Sequence, residues 1–374
     1  MIIYTFMEEI AEIRSHRHEH PHTQEPQKLE ASQISSVKAF IESNDAVPIP
    51  STYFSVHELR EDVAENNLAA SIPVIDFSLL TSDNPHVHAN AVRQLGTVCK
   101  EWGFFMIINH GISEKLMKDL LNKCVEFHNL SFEEKKELAN EELVTPIRYG
   151  TSALPHGEKA DCWRDYLKVE THPNFNFPHK PPGFSELAFE YSRKIREVLR
   201  TLLQGVSESL DLRPNAIIDY TDYDSSYQTC QTNLYPPCPK PDLVLGLLPH
   251  NDNGLMTLLI QNDVNGLQVM HDGKWVNVNP IPNCILVNTG DQLEAVTNGR
   301  YKSIRHRVVV NERHARVTLA LGNGPSLENE TCPAPELLQK EKAVYKSIKY
   351  KDYFKVQQEA RIADKRGLDM IHIN

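Results

Sequence analysis

The sequence predicts a mixed α/β (α+β) chain. Its β-rich part is an antiparallel sandwich or barrel, with the double-stranded β-helix (jelly-roll) core as nearest architecture, flanked by helices. Three observations predict it. Eight short β-rich runs, at 226–235, 243–248, 256–260, 266–271, 274–278, 283–288, 304–310 and 315–321, follow one another with no long helix between them. Turn dipeptides such as Asp272-Gly273 and Asn298-Gly299 punctuate the stretch. On both sides of it the apolar spacing changes to the three-to-four-residue period of helices. The 374 residues, 40% hydrophobic and 24% charged, are an ordinary globular balance and enough to bury a core. We read one β core wrapped by helices, in four stretches: a mobile extension and helix at 1–70, a helix-rich region at 71–212, the β core at 213–325 and a helical tail at 326–374.

In chain order, His16-Arg17-His18-Glu19-His20-Pro21-His22 lies in polar, proline-flanked surroundings and reads as a solvated tail rather than a metal site. Residues 32–43 form a short helix, and Val47-Pro48-Ile49-Pro50 an extended linker. Val74, Ile75 and Phe77 favour a strand at 71–77, with Pro73 suited to an edge or first position. Val92, Leu95, Val98 and Cys99 mark a helix from about 85 to 102, which Gly103 ends. Phe104 to Asn109 is a buried strand, and His110-Gly111 turns the chain. Ser113 is the N-cap of a second helix with Leu116, Met117, Leu120, Leu121, Cys124 and Phe127 on one face. A third helix spans 184–210, and helical patterning returns from 334 to about 360.

Lys and Arg number 39 against 50 Asp and Glu, a net charge of −11. This excess of acid argues against sequence-independent binding to nucleic acid or anionic membranes, which need a positive surface. No apolar run approaches the ~20 residues of a membrane span. The apolar start, Met1 to Met7, lacks a basic segment and runs into Glu8-Glu9, so it does not read as a secretory signal. The seven cysteines are odd in number, widely spaced and without C-x-x-C, against a disulfide framework or a zinc-thiolate site. The expectation is a cytoplasmic monomer.

His250-Asn251-Asp252 carries the first sign of chemistry. In a strand, residues i and i+2 share a face, so an imidazole and a carboxylate would meet at one spot. His306, within the apolar 304–310 run, offers a third ligand. Two histidines and a carboxylate on one side of a metal leave positions open, the facial arrangement of non-haem Fe(II) oxygenases. On spacing alone the competing reading is a chance H-x-D and a histidine satisfied within the core. Arg316 and Thr318 are again i and i+2. A guanidinium in a narrow barrel suits bidentate capture of a carboxylate, while a surface arginine on an edge strand is the alternative. Leu319-Ala320-Leu321 beside it favours burial. If the runs at 304–310 and 315–321 pair as a hairpin through residues 311–314, His306 and Arg316 both face inward only when paired numbers sum to an even value. That requires an odd-length loop or a bulge.

Over roughly residues 70–325 the sequence resembles the plant-type 2-oxoglutarate- and Fe(II)-dependent dioxygenases, non-haem iron oxygenases with an isopenicillin N synthase-like fold. The segments that carry the resemblance are Ile72-Pro73-Val74-Ile75-Asp76, Glu101-Trp102-Gly103-Phe104-Phe105 through Asn109-His110-Gly111, Asn233-Leu234-Tyr235-Pro236-Pro237-Cys238-Pro239, Gly246 to Asp252, and Asn298 to Ser303 with His306-Arg307-Val308-Val309. The resemblance implies a jelly roll with flanking helices and Fe(II) bound by His250, Asp252 and His306. It places the distal carboxylate of 2-oxoglutarate on Arg316, with Thr318, Tyr235 and Asn233 beside it. O2 is then the oxidant and ascorbate the supporting reductant. Two departures stand out: Thr318 replaces the family's usual Ser while keeping a hydroxyl, and Asn251 replaces a common Thr and should point away from the metal.

The implied reaction oxidises a substrate C–H with release of succinate and CO2. Hydroxylation is the default outcome; desaturation, ring closure and O-demethylation share the opening step. The implied substrate is a small, largely apolar plant specialised metabolite. Arg148-Tyr149-Gly150 and Trp163-Arg164-Asp165-Tyr166-Leu167 are candidates for lining or lid segments, with ordinary packing as the other reading. Competing functions are a same-fold iron oxidase that does not use 2-oxoglutarate, a metal-dependent hydrolase, and a non-catalytic jelly-roll binding protein.

Overall fold

The computed structural model describes residues 36–43, 48–55, 59, 63–64, 72–139, 145–151, 160–362 and 366–373. The histidine cluster and the apolar start lie outside them.

All eight β-rich runs are strands. They are β5 (Gln228–Tyr235), β6 (Leu245–His250), β7 (Met256–Gln261), β8 (Leu267–His271), β9 (Lys274–Asn277), β10 (Ile285–Thr289), β11 (His306–Val309) and β12 (Arg316–Asn323). The front of the chain adds β1 (Val74–Asp76), β2 (Phe104–Ile108), β3 (Ile147–Thr151) and β4 (Asp165–His172). The strands make two facing sheets, a major one in the order β1-β2-β10-β7-β12-β5-β4-β3 and a minor one in the order β6-β11-β8-β9. Every pairing within them is antiparallel except β1 with β2. This is the jelly roll, and its major sheet draws on strands from both sides of residue 213.

Helices that bear on the core and the site are α1 (Val37–Ser43), α2 (Pro85–Glu101), α3 (Glu114–Asn129), α4 (Phe184–Ser209), α5 (Asp291–Val296) and α6 (Tyr350–Ile362). Ser113 caps α3 by accepting from Leu116 N at 3.3 Å. Gly103 closes α2 at φ +60°, a conformation that favours glycine. Leu95, Leu120, Phe127, Leu199 and Leu202 from α2, α3 and α4 bury against Leu167, Leu258, Leu319 and Leu321 on the outer face of the major sheet. Each fully buried leucine of this layer contributes about 1.5–3 kcal/mol. A second apolar cluster, with Tyr235, Leu267, Val269, Leu286 and Val308, fills the space between the sheets. Strand alternation divides β12 between them: Val317, Leu319 and Leu321 meet the helices, while Arg316 and Thr318 face the minor sheet.

One sequence expectation is corrected: the runs at 304–310 and 315–321 do not form a hairpin. β11 pairs with β6 and β8, and β12 with β5 and β7. The connection crosses from one sheet to the other, so the even-sum condition does not apply. His306 and Arg316 converge because the sheets face each other. Asn311 shapes the crossing: its Oδ1 accepts from Arg313 N at 2.9 Å and His314 N at 2.8 Å.

The segments weighed as lid or lining against ordinary packing contribute β3 and β4 at the edge of the major sheet. Trp163 is fully buried, with edge contacts to Tyr53 and Phe40. Tyr149 is buried against Phe127. Asp165 caps α1, its carboxylate accepting from Ser36 Oγ at 2.7 Å, Val37 N at 2.8 Å and Lys38 N at 3.1 Å. These side chains hold the N-terminal segment to the sheet.

All seven cysteines are free. Among the described residues no helix is long and apolar enough to cross a membrane.

His128 joins α3 to the major sheet, with Nε2 3.0 Å from Thr232 Oγ1. Burial, reinforced by Lys135 and Lys38, lowers its pKa to about 3. The imidazole is therefore neutral in the fold and regains a pKa of about 6.5 when unfolded. Its contribution to stability is present above about pH 6.5 and is lost as pH falls toward 3, because the unfolded chain then binds the extra proton. Thermal melts at stepped pH should show Tm declining through that window, and His128→Gln should flatten the decline while lowering Tm at neutral pH.

Candidate metal centre

The pairing of β11 with β6 sets His306 opposite His250, with ring centroids 4.1 Å apart. The register shifts just beyond His306 and again after Val308, a local irregularity of the kind that re-aims side chains. His250 Nδ1 lies 2.9 Å from Leu248 O, and His306 Nδ1 3.2 Å from Ile304 O. A carbonyl only accepts, so each Nδ1 carries the hydrogen and each Nε2 keeps its lone pair. Both Nε2 atoms face Asp252 Oδ1, at 3.6 Å from His250 and 3.7 Å from His306.

Asp252 reaches this point differently from the strand-alternation argument, because β6 ends at His250. The carboxylate is held from the opposite sheet. Thr257 Oγ1 of β7 donates to Oδ2 at 2.6 Å, and Asn288 Nδ2 of β10 donates to it at 2.8 Å. Oδ1 is left toward the imidazoles. Burial would raise the Asp252 pKa, but His306, His250 and the two hydrogen bonds overcome it and hold the carboxyl below its ordinary range. The three donor atoms lie within 4.8 Å of one another. Two imidazole nitrogens and one carboxylate oxygen, without thiolate, suit Fe(II) with coordination positions left open. Asn251 points away, donating from Nδ2 to Ser303 O at 2.9 Å, and so ties the Asp252 loop to the segment before His306.

A second polar site lies between the sheets. Arg316 is 2% exposed, and its Nη2 donates to Gln261 Oε1 at 2.5 Å. The guanidinium lies 5.3 Å from the Tyr235 ring centroid, and Nε has no partner. Burial lowers the Arg316 pKa, opposed by Tyr235, and among the described residues no carboxylate pairs with it. Glycines let the backbone approach closely. A Cβ on Gly266 would sit 3.0 Å from Arg316 Cδ, and one on Gly246 would sit 2.7 Å from the Tyr235 ring. Thr318, opposite Asn233 in the β12–β5 register, accepts from Asn233 Nδ2 at 3.2 Å. The residues present fit a buried dicarboxylate: a cation lacking its anion, with amide and hydroxyl groups beside it.

The sequence reading missed Thr257, Asn288, Gln261 and α5. Glu294 of α5 accepts from Ser303 N at 2.7 Å, Tyr345 Oη at 2.6 Å and Arg366 Nη2 at 2.8 Å. Asp291 accepts from Tyr353 Oη at 2.8 Å, while its own N–H donates to Asp252 O at 2.8 Å. The C-terminal segment thereby clamps the loops that carry Asp252 and His306. Two acids, Asp291 and Glu294, set among Leu293, Ala295 and Val296 between Gly290 and Thr297 were the available signal.

Comparisons with known proteins agree with this geometry. The 2OG-Fe(II) oxygenase superfamily matches residues 224–325, and the family described as non-haem dioxygenase in morphine synthesis N-terminal matches residues 72–186. The 2-oxoglutarate-dependent dioxygenase 19 of Oryza sativa subsp. japonica is 40% identical over 304 residues, spanning 81% of this chain and 90% of its own length. Flavonol synthase/flavanone 3-hydroxylase of Petunia hybrida is 34% identical over 334 residues, spanning 87% and 94%. The crystal structure of JOX2 in complex with 2OG, Fe and JA aligns with a TM-score of 0.79 at 28% identity, over 91% of this chain and 98% of that one. This sets aside the hydrolase and the non-catalytic binding protein: the chain belongs to the plant 2-oxoglutarate- and Fe(II)-dependent dioxygenases and is an oxidoreductase of that class.

Proposed function

We propose that this enzyme oxidises a small plant specialised metabolite, by default through hydroxylation, with release of succinate and CO2. In this reading His250, Asp252 and His306 hold the iron, and Arg316, with Tyr235, Thr318 and Asn233, holds 2-oxoglutarate. The observation that carries it is the buried Arg316 guanidinium, which lacks a carboxylate partner among the described residues and lies in the inter-sheet space that also contains the His-Asp-His cluster. Leaving such a cation uncompensated costs several kcal/mol, and a dicarboxylate offsets that cost. A same-fold oxidase that ignores 2-oxoglutarate would leave Arg316 without its anion.

Ferrous iron, when bound, couples reduction of O2 to oxidative decarboxylation of 2-oxoglutarate and oxidation of the substrate. The side chains do the positioning. The Leu248 and Ile304 carbonyls fix both imidazole tautomers. Thr257 and Asn288 engage one carboxylate oxygen and leave the other for the metal. Arg316 and Thr318 orient the cosubstrate, and Phe104, packed edge-on to His306 at 5.2 Å, helps keep water from the ligand. The Petunia relative is named for flavonol and flavanone chemistry, and the JOX2 structure holds JA beside 2OG and Fe; both support a small-molecule substrate. Desaturation, ring closure and O-demethylation remain outcomes of the same C–H oxidation.

The direct test incubates the Fe(II)-loaded enzyme anaerobically with 2-oxoglutarate and fractions of a plant metabolite pool, then admits O2. Succinate formed one-for-one with an oxidised metabolite supports the reading; O2-dependent oxidation without consumption of 2-oxoglutarate overturns it. Asp252→Ala should lose iron binding and turnover while keeping the wild-type circular dichroism spectrum. Asn288→Ala should keep the fold but weaken iron binding by about tenfold or more in a metal titration. Arg316→Ala should raise the 2-oxoglutarate KM by about a hundredfold or more, measured by succinate release.

A further inference from the structure

Arg164, the residue just before β4, enters the polar face of the major sheet. Its side chain is buried at 6% exposure, and its guanidinium sits 5.4 Å from the Tyr166 ring centroid. Nη1 donates to Asn233 Oδ1 at 3.0 Å, Nε has no partner, and among the described residues no carboxylate pairs with Arg164. Gln231 Nε2 donates to the same Oδ1 at 2.9 Å. From its other end, Asn233 Nδ2 donates to Thr318 Oγ1 at 3.2 Å.

The direction of this chain is forced by chemistry. Guanidinium nitrogens only donate, so the end of the Asn233 amide facing Arg164 has to be its oxygen. Gln231 can turn its amide round; Arg164 has no such freedom. The NH2 end of Asn233 then faces Thr318, and because it too only donates, Thr318 Oγ1 has to accept. The hydroxyl hydrogen is thereby left free to donate elsewhere. With the amide reversed, Asn233 Oδ1 would attract that hydrogen, and Thr318 would turn lone pairs toward any neighbouring anion.

We infer that Arg164 is a positioning residue for the cosubstrate: acting through Asn233, it fixes the Thr318 hydroxyl as a donor to the distal carboxylate of 2-oxoglutarate. This rests on the proposed placement of that carboxylate beside Arg316 and Thr318. Arg164 does so from the residue just before β4, with β4 paired to β5 and β5 to β12.

A double-mutant cycle tests it, with 2-oxoglutarate binding to the Fe(II)-loaded, full-length enzyme read anaerobically by the metal-to-ligand charge-transfer absorption. Thr318→Val should weaken binding about tenfold and Arg164→Met about fivefold, the scale of a single net hydrogen bond. Once Thr318→Val is present, adding Arg164→Met should change binding less than about twofold, because no hydroxyl remains to be oriented. Arg164→Lys, which also only donates, should recover most of the affinity. In Arg164→Met the KM for 2-oxoglutarate should rise while iron affinity and kcat at saturating 2-oxoglutarate hold. An Arg164→Met enzyme with unchanged affinity, or with equal weakening whether or not Thr318→Val is present, overturns the relay alone. Thr318→Val without effect takes down the underlying placement of the carboxylate as well. Should Arg164→Met fail to fold, Asn233→Leu removes the same amide and takes its place in the cycle, with the same non-additivity expected.

Discussion

Asp252 is anchored from one sheet and faces the other. Thr257 and Asn288 of the major sheet grip one carboxylate oxygen, while the two imidazoles of the minor sheet converge on the other. The site therefore exists only when both sheets are in place and correctly spaced. Much of the surrounding architecture serves that spacing: the apolar cluster between the sheets, the crossing at residues 311–314, and the Asn251–Ser303 bond that joins the two ligand loops. A metal bound there would add its own bridge across the sandwich, coupling occupancy to stability.

The same inter-sheet space carries a cluster of buried polar groups. Arg316, Arg164, Asn233, Thr318 and Tyr235 are all buried on or beside the inner face of three adjacent strands. Burying two guanidinium groups with only neutral partners among the described residues is costly. An anionic cosubstrate held beside Arg316 would offset much of that cost. The helix-facing side of the same strands shows the contrast: Leu167, Val317, Leu319 and Leu321 pack there as an ordinary core. Strand alternation lets one sheet serve chemistry on one face and stability on the other.

The C-terminal segment is tied to the metal loops by charge as well as by packing. Glu294 and Asp291 sit in a buried turn of helix directly after β10, and their partners Tyr345, Tyr353 and Arg366 all come from the tail. Burial raises the Asp291 pKa to about 6 even though Tyr353, Ser303 and Arg366 favour its charged form. Glu294, bound to Ser303 N three residues before His306, links the tail to the last ligand strand.

Local pattern was enough to mark all eight core strands, the glycine that ends α2 and the N-cap of α3; it offered His250, Asp252, His306 and Arg316 only as candidates, and the family resemblance supplied the roles proposed for them. Each of those depends on side-chain period, turn chemistry or short motifs within a few residues. The partner of each strand was not legible. A hairpin was the natural reading of two runs separated by four residues, yet the chain crosses between sheets there, because facing sheets bury more than a single ribbon can. Nor was it legible that Asn288 holds Asp252, that Arg164 holds Asn233, or that Asp165 caps α1. These contacts span 36, 69 and 128 residues. Sequence alone set which chemical groups were available; the folding of two sheets onto each other decided which of them meet, since hydrogen bonds over such separations are fixed by packing geometry and leave no local period to read.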